Sequence, residues 1–106
     1  MTSLAPLRIL LERIHSQEIC AEVLAETARL FHLPHSHRWY FLLVNRIFVY
    51  LIDEPDMFYG VDDDNPSPVL RNITQIVLNG ISAIERDDRD ALAASANDLT
   101  KAYSAF

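Results

Sequence analysis

The stretch from Trp39 to Ile52 constrains this chain more than any other. Two six-residue apolar runs, Trp39 to Val44 and Ile47 to Ile52, are separated by Asn45-Arg46 and flanked by Arg38 and Asp53. So much apolar side chain in one place has to be taken out of water, whatever secondary structure it adopts. Read as a helix opened by Ser36, the segment sets Arg38, Asn45, Arg46 and Asp53 on one narrow stripe, because their spacings of seven, eight and fifteen residues match a turn of roughly 3.6 residues. That helix is apolar on its other sides, and so belongs at the centre of a fold. Read as a hairpin over 38–53, the same four residues are the strand ends and the turn, and the Trp, Tyr, Phe, Val and Ile content favours strands. Asn-Arg is a poor pair for a two-residue turn that needs positive φ, and both faces of an isolated hairpin would need cover. The helix is therefore the leading reading, with the hairpin as its alternative.

The flanking segments carry helical signals of their own. Pro6 suits a first helical turn, and Leu7, Leu10, Leu11 and Ile14 share one face. Ser16 is positioned to cap a second helix, whose stripe runs Ile19, Cys20, Val23, Leu24, Thr27, Leu30, Phe31, with Glu18, Glu22 and Glu26 opposite. Acids early in this helix and Arg29 and His32 late agree with the helix dipole. Leu33-Pro34 ends it, since proline lacks a donor and disfavours helical geometry in the residue before it. Ser67-Pro68 opens a further helix, marked by Val69, Leu70, Ile73, Ile76, Val77, Ile81 and Ile84, with Gly80 near that face as the place for a close helix crossing. Arg86 to Asp90 interrupts the pattern, and Asp87 is the expected cap of a last helix with the seam Leu92, Ala96, Leu99, Tyr103, Phe106. With no Gly or Pro at that interruption, one continuous long helix is the alternative. The expected fold is all-α: a compact bundle of about five helices, roughly 5–15, 17–32, 37–52, 68–86 and 88–105, in a single domain 1–106. A long acidic loop occupies 53–67; the alternative is α+β with a hairpin at 38–53.

Composition narrows the function classes. With half its residues hydrophobic, a chain of 106 residues can bury a core without disulfides or a structural metal. Its one cysteine, Cys20, has no internal bridging partner and falls on the second helix's apolar stripe, where it reads as a small core hydrophobe. Fifteen acids against nine bases give a net charge of −6, which argues against a broad nucleic-acid surface built on phosphate contacts. Between Asp53 and Pro68 stand six acids and no base, so this one segment equals the whole net charge. The Trp39 to Ile52 run is too short to span a bilayer and has Asn45 and Arg46 at its centre, which points away from membranes and to a cytoplasmic location.

Several residue groups are candidates for chemistry. His32, His35 and His37 crowd one turn, joined by His15 if the first helix packs nearby, and imidazoles are common zinc ligands. Their spacing matches no zinc signature, and capping or solvated histidines are the plainer reading. The six-residue separation of Arg29 and His35 resembles the loose arginine-to-histidine motif of HEPN-type helical ribonucleases, over those two positions alone. That resemblance implies a pair that polarises RNA for cleavage; here Pro34 falls between the two, and the function is not carried over. Asp62-Asp63-Asp64-Asn65 offers oxygen ligands but lacks the alternation, central glycine and distal glutamate of a calcium loop. Two glycines in the chain exclude a glycine-rich phosphate loop. The aromatic island Met57, Phe58, Tyr59, Val61, between acidic flanks, reads either as a partner-docking element or as an anchor for its own loop.

The function expected from these features is a small, soluble, non-enzymatic protein-protein interaction or regulatory module, self-associating through apolar helix faces and needing no cofactor. Its expected partners are another protein and further copies of itself. The warrant is apolar surface in excess of what so small a chain can hide. The alternative is a metal-dependent or RNA-cleaving enzyme built on Arg29, His32, His35 and His37. A third idea is that the acidic loop mimics nucleic acid toward a basic partner.

Overall fold

The computed structural model describes residues 4–13, 17–53 and 68–104, with 17–20 as backbone alone. Five α-helices account for nearly all of them: α1 Ala5–Glu12, α2 Gln17–Arg29, α3 His35–Asp53, α4 Pro68–Glu85 and α5 Arg89–Ser104. A 3₁₀ turn, Leu30–His32, finishes α2. The described chain is all-α and contains no strand, so the hairpin reading of 38–53 falls. The long loop, its aromatic island Met57, Phe58, Tyr59 and Val61, the acidic run Asp62 to Asn65, the caps Ser16 and Ser67, and His15 lie outside the described residues. So does the side chain of Cys20.

Helix ends differ from expectation in three places. α1 stops at Glu12, where Arg13 leaves helical geometry and its N–H bonds back to the Leu10 and Leu11 carbonyls. α3 begins at His35, two residues before its expected start at 37. Pro34 is the reason: Leu33 before it is extended (φ −63°, ψ 158°), and the Pro34 carbonyl accepts the His37 and Arg38 N–H groups, each at 2.9 Å. The proline therefore both ends one helix and seeds the next, and Ser36 sits inside the first turn instead of capping it.

The third difference lies at the break between α4 and α5, which is present as expected and excludes a continuous helix, but is capped by a different aspartate. Asp87 takes the left-handed conformation (φ 55°). Its N–H bonds to the Ile84 carbonyl at 3.0 Å, and the Asp88 N–H reaches the Ala83 carbonyl at 2.8 Å. That double bond-back is a Schellman ending, here made by aspartate in the position usually given to glycine. Asp88, and not Asp87, then caps α5: its Oδ1 accepts the Ala91 N–H at 3.0 Å and its carbonyl accepts that of Leu92 at 3.1 Å.

One core joins all five helices. Leu7 and Leu11 of α1, Val23 of α2, Tyr40, Phe41, Val44, Ile47, Phe48 and Leu51 of α3, Leu70, Ile73, Val77 and Ile81 of α4, and Leu92 and Leu99 of α5 are buried in it. α4 and α5 form one closely packed pair and α2 and α3 another, with α1 bridging α2 and α4. Arg8 fastens that bridge through an ion pair to Glu85 and a 3.4 Å bond to the Ser82 hydroxyl.

Candidate functional site

The rotation of α3 about its own axis decides which of its side chains reach solvent, and two interhelical polar contacts, one buried and one half-buried, pin that rotation. On one side, Tyr40 reaches between α4 and α5. Ser95 gives its single proton to the Ile76 carbonyl at 2.8 Å, so the Tyr40 hydroxyl, 2.7 Å away, donates to the Ser95 oxygen. The Tyr40 ring is accommodated by Gly80: a Cβ there would stand 2.0 Å from the hydroxyl and 2.3 Å from Cζ. The expected close approach at Gly80 is thus made by an aromatic ring, not by a crossing helix backbone. Burial pushes the Tyr40 hydroxyl up to about 12.

On the other side, Asn45 turns inward toward α2. Its Nδ2 donates to the Thr27 hydroxyl at 2.8 Å and to the Leu24 carbonyl at 3.3 Å. Thr27 is fully buried, and its own proton goes to the same carbonyl at 2.9 Å. A hydroxyl that would be costly to bury unpaired is thereby satisfied as both donor and acceptor. Asn45 therefore leaves the solvent stripe expected of it.

Apart from Ser36 in the first turn, what faces water between these two pins is His35, Arg38, Leu42, Arg46, Val49 and Asp53. At 3.6 residues per turn they fall within an arc of roughly 80°. Arg38, Arg46 and Asp53 occupy the exposed stripe as their polarity requires. Leu42 and Val49 share it, 48% and 43% exposed, so the central helix is not apolar and covered on every remaining side. Neither Arg38, Arg46 nor Asp53 makes a side-chain hydrogen bond or ion pair to another described residue. The result is an apolar strip with charges along it on the helix that gives more large side chains to the core than any other. Ile9 of α1, 51% exposed, is the other large apolar side chain open to solvent among the described residues.

The histidine turn resolves into two separate places. His35 and His37, in the first turn of α3, line a cleft of about 450 Å³ with Trp39, Asp87, Asp88 and Arg89 above a floor of Ala83, Ile84 and Leu92. Arg29 and His32 do not line it; Arg29 pairs with Glu26 at 2.9 Å, one turn back on α2. Among the described residues no three His, Cys, Asp or Glu side chains are grouped to hold a metal ion. Trp39 closes one wall, its indole N–H bonded to the Ser36 carbonyl at 2.9 Å. No described helix is long and apolar enough to cross a membrane. In comparisons with known proteins, no family model, curated protein or solved structure matches the chain.

Periodicity could not identify Leu42 and Val49, because nearly every position of α3 is apolar. A signal was nevertheless present: both sit four or three residues from Arg38, Arg46 or Asp53 and so share their face. Ser95 carried no such signal, since a serine one position from the Ala96 seam looks like any surface serine.

Proposed function

We propose that this chain is a small non-enzymatic interaction module that associates with protein surfaces, its own included, through the exposed face of α3. The observation that carries this reading is the outward position of Leu42 and Val49 on the central helix. Apolar side chains on a fixed helical face, bordered by charges, form a surface suited to another protein. Two interhelical polar contacts, Tyr40 to Ser95 and Asn45 to Thr27, hold that face in one orientation, so little ordering is needed on binding. The enzyme alternative has less behind it: of Arg29, His32, His35 and His37, only His35 and His37 line the cleft.

Site-specific photocrosslinking tests the reading. A benzophenone amino acid placed at Leu42 or Val49 is expected to yield a discrete adduct in cells, while the same probe at Asn72, exposed on α4, yields none. Equal products from all three positions, or none from any, would overturn it.

A further inference from the structure

Resting on that reading, we infer that the occupant of the α3 face is a second copy of this chain, docked with its own α3 antiparallel. The order of residues along the face selects this partner. Arg38 and Asp53 stand equally far from the midpoint between Asn45 and Arg46, and so do Leu42 and Val49. In an antiparallel pair with its two-fold axis at that midpoint, Arg38 lies level with Asp53 of the partner subunit, roughly 11 Å along the helix from the axis. Leu42 lies against the partner subunit's Val49. Every exposed apolar residue of α3 is then covered by another, and every terminal charge lies level with its opposite.

A parallel pair has none of this complementarity. It would set Arg38 against its own counterpart, Asp53 against its own, and align the two helix dipoles. Charge over the whole molecule favours the same face. The chain carries −6, yet this stripe holds two arginines and one aspartate, a net of 2 − 1 = +1, so the acidic excess of the chain does not lie on the face that pairs. Arg46 sits at one edge of the arc, where its guanidinium extends into solvent beside the axis and the like charge of its counterpart is screened. The apolar contact amounts to two leucines and two valines, short of a standard interface of about 1,200 Å². The dimer is accordingly weak, with a dissociation constant on the order of 10–200 μM.

Sedimentation velocity from about 5 to 500 μM tests the pairing. The wild type is expected to shift from monomer to dimer across that range, and Leu42→Glu to remain monomeric with an unchanged thermal melt, because the side chain faces solvent. Arg38→Asp and Asp53→Arg are each expected to weaken the dimer roughly tenfold, and the double exchange to restore it. Both exchanges suit the dipole of α3, acid toward its start and base at its end, so neither threatens the fold. A dimer lost in Leu42→Glu but indifferent to the charge exchanges would overturn the antiparallel pairing and leave the interaction reading standing. A wild-type monomer at 500 μM would overturn the second copy as occupant; a crosslink from position 42 to a different protein would then still uphold the interaction face.

Discussion

Gly80→Ala is expected to destabilise this protein by about 2–3 kcal/mol, although alanine in place of glycine inside a helix ordinarily stabilises by about 1 kcal/mol. The new methyl would lie 2.0 Å from the Tyr40 hydroxyl and 2.8 Å from Cε1. Tyr40 has nowhere to retreat: it is wholly buried and its ring meets those of Trp39 and Phe41 edge-on, at 5.9 and 5.7 Å. The substitution must push the ring aside, which carries an overpacking cost of about 1–3 kcal/mol, and breaks its bond to Ser95, worth about 1 kcal/mol. A double-mutant cycle separates this from any general intolerance of α4. With Tyr40 replaced by alanine, Gly80→Ala should turn stabilising by about 1 kcal/mol in urea denaturation. Equal losses in both backgrounds would show that the Tyr40 contact is not what glycine serves.

The same tyrosine is expected to weaken the fold at alkaline pH. Burial raises its hydroxyl to about 12 from an ordinary 10.0. A group whose proton is held more tightly in the folded state contributes stability that is complete below its unfolded value and declines as pH rises toward the folded one. No Tyr40-dependent change is therefore expected below pH 10, followed by a loss of about 2–3 kcal/mol between pH 10 and 12. Tyr40→Phe should be less stable at neutral pH, through loss of the hydrogen bond to Ser95, yet lack that alkaline decline. A decline of the same size in Tyr40→Phe would assign it to other groups.

How much of this was legible beforehand depended on whether a residue's role is local. Pro34, Pro68 and the apolar spacings act within a turn or two, and the elements they imply are present within a few residues of the expected bounds. Where Asp87 and Asp88 divide the capping work was not legible, because either aspartate suits an N-cap and only the backbone shows which one is left-handed. The buried stripe of α4 follows its sequence pattern for a related reason, since that helix has one clear polar side; in α5 Leu92 and Leu99 are buried as expected, Ser95 is buried beside them, and Phe106 lies outside the described residues. α3 was the difficult case. Its rotation is set by two contacts distant in sequence, Tyr40 with Ser95 and Asn45 with Thr27, and no periodicity within α3 encodes them. Asn45 looked like a surface residue beside Arg46 and proved to be an inward contact, while Leu42 and Val49 looked like core and face water. The histidine turn shows the same limit in a smaller compass. Three histidines close in sequence are divided by Pro34, which starts a new helix axis and takes His35 and His37 to a cleft that His32 does not line.

The claim on which the functional reading depends is that α3 offers its Leu42 and Val49 face for association. Amide chemical shifts recorded at about 20 and 500 μM test it residue by residue. Concentration-dependent shifts are predicted at Arg38, Leu42, Arg46, Val49 and Asp53, with Asn72 of α4 and Asp98 of α5 unmoved. Shifts centred on Ile9 or on the cleft around Arg89, with α3 silent, would contradict the account.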